Sequence, residues 1–231
     1  MSDTQAADLH LAEPVPERVR RFRQEYRASE IPRFYSPTFH LLFTFVGGSL
    51  ALLASLAQLN AVSVAEWMTV PLAFVYANLA EYFGHRYPMH HPVPGLRLVY
   101  KRHAGQHHRY FNQDSMPLED ALDLRAVLFP PLLVIFFFGG FGLPVWLLLN
   151  ALISANVAWL FIATGLAYFL NYEVLHLFHH LPPRWQARMP GWLQRWSTLH
   201  RIHHDPARMT RCNFNISYPL GDWLFRTWEK Q

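Results

Sequence analysis

The 47 residues from Ala126 to Tyr172 include no Asp, Glu, Lys or Arg. A helix needs about 20 apolar residues to cross a hydrocarbon layer of about 30 Å, so this run has room for two crossings. Gly139, Gly140, Gly142 and Pro144 interrupt it, which predicts a tight turn between two helices. A second uncharged run, His40 to Leu59, has 20 residues and suffices for one crossing. A shorter run, Trp67 to Ala80, lies between Glu66 and Glu81 and spans only if its helix continues through Glu81 towards His85. The sequence therefore predicts an all-α integral membrane protein with four transmembrane helices in two hairpins, near 40–59, 66–84, 126–140 and 144–170. A basic segment, 1–37, precedes this membrane domain, 38–231, whose His-rich parts, 85–125 and 173–231, form a helical cytoplasmic cap.

The basic residues give an independent check. Six of the 20 Lys and Arg precede the first run, six lie between Gly84 and Arg125, and eight follow Glu173. The turns near Asn60–Ala65 and Gly139–Pro144 hold none. Four crossings put every basic residue on one side, and the positive-inside rule makes that side cytoplasmic, with both termini inside. Only 16% of residues are charged, against about 25% in soluble domains. Basic residues that flank membrane spans do not indicate nucleic-acid binding. They suit contact with anionic lipid, and Pro16–Arg27 reads either as a basic helix lying on such a surface or as a disordered tail. Cys212 is the only cysteine, which excludes a disulfide framework and a thiolate metal site.

Twelve of the 14 histidines fall in four clusters on this same side; only His10 and His40 stand apart. The clusters are His85, His90 and His91; His103, His107 and His108; His176, His179 and His180; and His200, His203 and His204. On an α-helix, residues three or four apart share a face. His103 with His107, His176 with His180, and His200 with His203 and His204 meet that condition. Neighbours such as His107 and His108 diverge by about 100° on a helix, so they can serve two ions. Imidazole ligates Fe, Zn, Cu and Ni, and one ion takes at most about six ligands, so ten or more histidines suggest two ions. Carboxylates that could hold the ligating rings are Glu81, Glu173, Asp205 and Asp222. Trp192, Trp196, Leu199 and Ile202 form a helical stripe that fits a helix resting on the membrane.

With these residues in view, the chain resembles the fatty acid hydroxylase/sterol desaturase superfamily of integral membrane metal oxygenases over roughly Thr38 to Trp228. Tyr172, Glu173, His176 and His180 match its third histidine motif, and His200, His203 and His204 its last. Asn213-Phe214 and Tyr218-Pro219-Leu220-Gly221-Asp222 resemble its closing signature. Gly221 and Arg226 stand where that signature usually has Trp and Gly. The second cluster has three residues between His103 and His107 where many members have two.

The resemblance implies metal ligands at His85, His90, His103, His107, His108, His176, His180, His200, His203 and His204, with His91 and His179 as neighbours of the site. It implies two Fe ions, with Zn possible after purification, and O2 as co-substrate. The reaction would be hydroxylation or desaturation of a membrane lipid at a C–H bond. No donor domain is recognisable, so a separate ferredoxin- or cytochrome b5-like electron donor is expected, and the compact chain suggests a bacterial inner membrane. Two other classes compete. A transporter would place its ligands near the membrane midplane, whereas these lie at one face. A metal-dependent membrane hydrolase would work without oxygen.

Overall fold

A computed structural model describes residues 15–229, and among them there are helices and no strands. Helix α1 (Glu17–Ser29) lies in the basic N-terminal segment. Helix α2 (Pro37–Leu56) begins where the Ser36 hydroxyl accepts the Phe39 N–H and Pro37 occupies the first turn. After the loop 57–63, a single turn capped by Ser63 and Glu66 leads into α3 (Thr69–Gly84). A π-helical turn, His85–Met89, continues α3, so the helix does run through Glu81 to His85.

Helix α4 (residues 97–110) contains a second π-helical stretch, Lys101–His107. Helix α5 (residues 131–152) follows Pro130. Helix α6 (Ala155–His179) is the longest, and the short helices α7 (Gly191–His203) and α8 (Leu220–Leu224) complete the cap.

Among the described residues, three stretches are long and apolar enough to cross a membrane: Pro37–Leu56, Ala121–Leu152 and Ala155–His179. Helix α3, with 16 residues, falls short of that length by itself. Helix α6 packs against α2, α3 and α5, which makes it the central post. The outer faces of the others are apolar and exposed, as at Leu50, Leu53, Leu72, Leu132, Leu147 and Leu148. Such faces suit lipid and not water.

The expected turn at Gly139–Pro144 is not a turn. Phe138–Gly142 is a π-helical stretch that runs directly into Leu143–Leu152. In apolar surroundings the backbone amides have no other partners, so the glycines stay helical and widen the turn. The reversal falls instead at Ile153–Ser154, where the Ser154 hydroxyl caps α6. This turn contains no Lys or Arg either. It meets the 57–63 loop directly. Asn156 accepts from the Asn60 N–H at 3.0 Å and donates to the Asn60 carbonyl at 2.8 Å, and Ser154 donates to Glu66 at 2.6 Å.

The cap has its own core, formed by Tyr26, Tyr110, Phe111, Ala126 and Val127. Helix α1 is part of it, with Val19, Arg23 and Tyr26 buried, so this portion of the basic segment is neither a free tail nor a simple surface helix. In α7 the buried positions are Leu193, Ser197, His200, Ile202 and His203, while Trp192 is exposed.

Candidate metal centre

Each of the ten histidines named as ligands is buried. Two groups emerge. The side-chain nitrogens of His85, His90, His103, His108 and His203 lie within 4.8 Å of one another, as do those of His107, His176, His180 and His200. His204 joins the second group: its Nε2 is 3.0 Å from that of His200 and 3.2 Å from that of His107. Its ring also stacks on His108 at 4.2 Å between centroids, so the groups adjoin.

The local helix geometry explains this sorting. His85 and His90, like His103 and His108, are five apart, which separates them by roughly 140° around an α-helix. Both pairs lie on or beside π-helical turns, whose wider i→i+5 repeat brings such residues together. The Nε2 atoms of His103 and His108 are accordingly 3.0 Å apart. His107, expected beside His103 by α-helical phase, turns to the second group. His203 likewise leaves the face expected for His200 and His204 and joins the first, with its Nε2 3.1 Å from that of His90.

Main-chain carbonyls orient half of the rings. Nδ1 of His107 donates to Ala126, that of His180 to Met116, that of His203 to Cys212 and that of His204 to Phe111, at 2.6–2.9 Å. His85 donates in the same way to Phe214. A neutral ring bonded through Nδ1–H carries its lone pair on Nε2. In His107 and His204, two such lone pairs face each other at 3.2 Å. A hydrogen bond between them would need an imidazolium, and burial opposes that charge, pushing His107 down to about 3 and His204 well below its ordinary value. A cation among the Nε2 atoms resolves the conflict. Separations of roughly 3 Å suit the edges of a coordination shell with bonds of about 2.1 Å. The donors therefore fit metal, and their all-imidazole chemistry suits Fe or Zn.

None of the residues expected to support the rings touches an imidazole of either group through a carboxylate. Glu81 accepts the Ser217 N–H at 3.0 Å, together with the Ile216 N–H and the Ser217 and Tyr168 hydroxyls, and so anchors the C-terminal loop to α3. Glu173 is buried and accepts the Phe129 N–H at 3.2 Å. Asp222 accepts the Phe214 N–H at 2.9 Å, the Asn215 N–H and the Thr227 hydroxyl, steadying the peptide that holds His85. Asp205 pairs with Arg208 at 3.3 Å. His91 is exposed. His179 is buried with both nitrogens engaged, by Ser197 at 2.9 Å and the Ile216 carbonyl at 3.0 Å. It ties α6 to α7 and has no lone pair to offer.

The groups that do orient the rings are carbonyls of Phe111, Met116, Ala126, Cys212 and Phe214. Sequence reading missed them because every residue type carries that atom. A small, mainly apolar cavity of about 30 Å³, lined by Met89, Val99, Leu128, Phe129 and Leu133 with Arg102 and Tyr172 at its side, reaches His103 of the first group and His107 and His176 of the second.

An all-helical chain with three helices able to cross a bilayer and two buried polyhistidine groups at one end of them has the make-up of a membrane metalloprotein. The family model described as fatty acid hydroxylase matches residues 70–227, and the chain belongs to that family. The fold is similar to a solved structure described as full-length Scs7p with only the hydroxylase domain visible, at a TM-score of 0.58 and 16% identity. That similarity covers 83% of this chain and 66% of the other, so the chain spans a little under two thirds of that protein's length. No curated protein sequence matches the chain significantly.

Proposed function

We propose that this protein oxidises a membrane lipid at a C–H bond, by hydroxylation or desaturation, using O2 and two iron ions held by the two histidine groups. The observation that carries this reading is the apolar cavity that reaches both groups at once. Its apolar side, Met89, Val99, Leu128, Phe129 and Leu133, would favour a hydrocarbon group beside the donors. Bound iron would supply the capacity to reduce O2 and so attack an unactivated C–H bond. For hydroxylation, the C–H bond, O2, two electrons and two protons become C–OH and water.

The chain's own residues supply the rest. His85, His90, His103, His108 and His203 would hold one ion, and His107, His176, His180, His200 and His204 the other. The carbonyls behind five of these rings fix their tautomer and direction. Met89, Leu128, Phe129 and Leu133 would shield the rings from bulk water on that side. In this reading α3 with its π extension completes a fourth crossing. The turns at 57–63 and 153–154 then lie on the far side, and the Arg-rich cap with both termini is cytoplasmic. Electrons would come from a separate acidic carrier of ferredoxin or cytochrome type, and the basic surface would also meet anionic lipid.

The test joins metal content to lipid chemistry. Protein made in iron-supplemented cells is assayed for Fe and Zn per chain, and host lipids are compared by mass spectrometry with and without it. Two ions per chain and an O2-dependent gain of about 16 Da, or loss of about 2 Da, are expected of an oxygenase. Lipid turnover that persists without oxygen and with zinc alone would replace this reading with a hydrolase.

A further inference from the structure

The second histidine group is braced by a part of the chain that the family match does not include. Helix α1 ends 41 positions before residue 70, where that match begins. Its Arg23 is 1% exposed, which is rare for a guanidinium and demands full pairing. Nε donates to the Tyr110 carbonyl at 2.9 Å and Nη2 to the Ser115 carbonyl at 2.6 Å, while Nη1 lies 2.6 Å from Glu119. The guanidinium also sits 5.0 Å from the Tyr110 ring centre and 5.4 Å from that of Phe111.

These two carbonyls have significant neighbours. The residue after Tyr110 is Phe111, whose carbonyl orients His204, and the residue after Ser115 is Met116, whose carbonyl orients His180. Arg23 thus grips the 110–116 loop one peptide from two of the three bonds that aim second-group rings. The same helix also contacts the residues that precede the third such carbonyl, that of Ala126. Arg27 binds Asp123 at 2.8 Å, and the Tyr26 hydroxyl accepts from Arg102 at 2.9 Å, which in turn donates to the Arg125 carbonyl. The carbonyls that orient the first group, Phe214 and Cys212, lie in the C-terminal loop. Among the described residues, no hydrogen bond from α1 reaches that loop, and its contact with the first group is packing against the turn that carries His108.

We propose that α1 is a clamp dedicated to the second metal position, with Arg23 as its positioning residue. The proposal rests on the two-ion reading above. Its chemistry is geometric: a forked cation fixes two carbonyls, and the adjacent carbonyls then fix the tautomer and direction of His180 and His204. Loosening the fork lets these two rings rotate, and the second position loses affinity while the first keeps it.

Titration of the metal-free, full-length protein in detergent with Co2+ tests this, read by the visible absorption of the bound ion and by ions per chain. Wild type is expected to take two Co2+. Arg23→Lys keeps the charge and cannot fork across two carbonyls. It is expected to bind the first Co2+ as wild type does and the second roughly 10- to 100-fold more weakly, the usual effect of removing support behind a ligand. Tyr26→Phe removes one hydroxyl and leaves the packing, and is expected to weaken the second step alone. If both steps stay as in wild type, or both weaken together in either variant, α1 is ordinary packing and the clamp is wrong. A wild-type protein that takes fewer than two Co2+ overturns the two-ion reading itself, before any variant is compared.

Discussion

The Nε2 atoms of His90 and His203 lie 3.1 Å apart, and the other nitrogen of His203 is held by the Cys212 carbonyl at 2.9 Å. A ring so fixed presents its lone pair towards its neighbour and has no proton to share with it. His203→Ala should therefore remove a donor from the first group, and His107→Ala one from the second. Each is expected to lower bound metal by about one ion per chain and lipid oxidation by at least roughly 100-fold, while the protein still inserts. His10, outside the described residues, serves as control, and His10→Ala should change neither quantity. Full metal content in His203→Ala would refute the ligand assignment.

Acid should destabilise the metal-free protein. Burial depresses His107 to about 3 and His203 to about 4, against about 6.5 in an unfolded chain. Between those values the unfolded chain binds more protons, so stability is full above pH 6.5 and falls as pH drops below it. Between pH 7.5 and 5.5 the loss is about 1.4 kcal/mol for each ring that stays neutral. Denaturation of the metal-free protein in detergent at the two pH values measures it, and equal midpoints would contradict it.

Two departures from the family signature have opposite structural costs. Arg226 has φ 57°, in the left-handed region that favours glycine. Arg226→Gly is expected to stabilise the protein by about 1 kcal/mol, visible as a higher Tm. Gly221 is tightly enclosed, because a Cβ there would lie 2.7 Å from Tyr82. Gly221→Trp should lower Tm sharply, and a neutral result would show that Tyr82 can move aside.

Asp222→Asn should weaken the C-terminal loop. The carboxylate accepts two N–H groups and the Thr227 hydroxyl, and an amide can satisfy only part of that set. A loss of about 2 kcal/mol is expected. Since Phe214 holds His85, affinity at the first group should fall with it, which metal titration reads separately from stability.

Much of this was legible in the sequence, and the gaps have definite causes. Uncharged runs announced the apolar helices, and the histidine clusters announced which residues converge. The pairing of histidines was misread where α-helical phase was assumed: the π turns at His85–Met89 and Lys101–His107 re-pair residues five apart. The same assumption about glycine placed a turn at Gly139–Pro144, where lipid-facing backbone instead keeps its hydrogen bonds in a widened helix. Glu81, Glu173 and Asp222, expected to support the rings, each serve a backbone amide, since the rings use carbonyls that no side chain advertises. Nothing in the sequence marks Arg23, because its burial depends on contacts more than 80 positions away.

Helix α7 ends in His203 and its cap residue is His204, and these neighbours serve different groups. Neither histidine group is complete before residues 200–204 have been made. During synthesis the membrane helices and the first three clusters emerge earlier, with both coordination shells still open. One late turn of helix then closes the two together, so a chain cut short before Pro190 would be inserted yet unable to hold either ion fully. In the two-ion reading, metal loading would report that synthesis has passed His204.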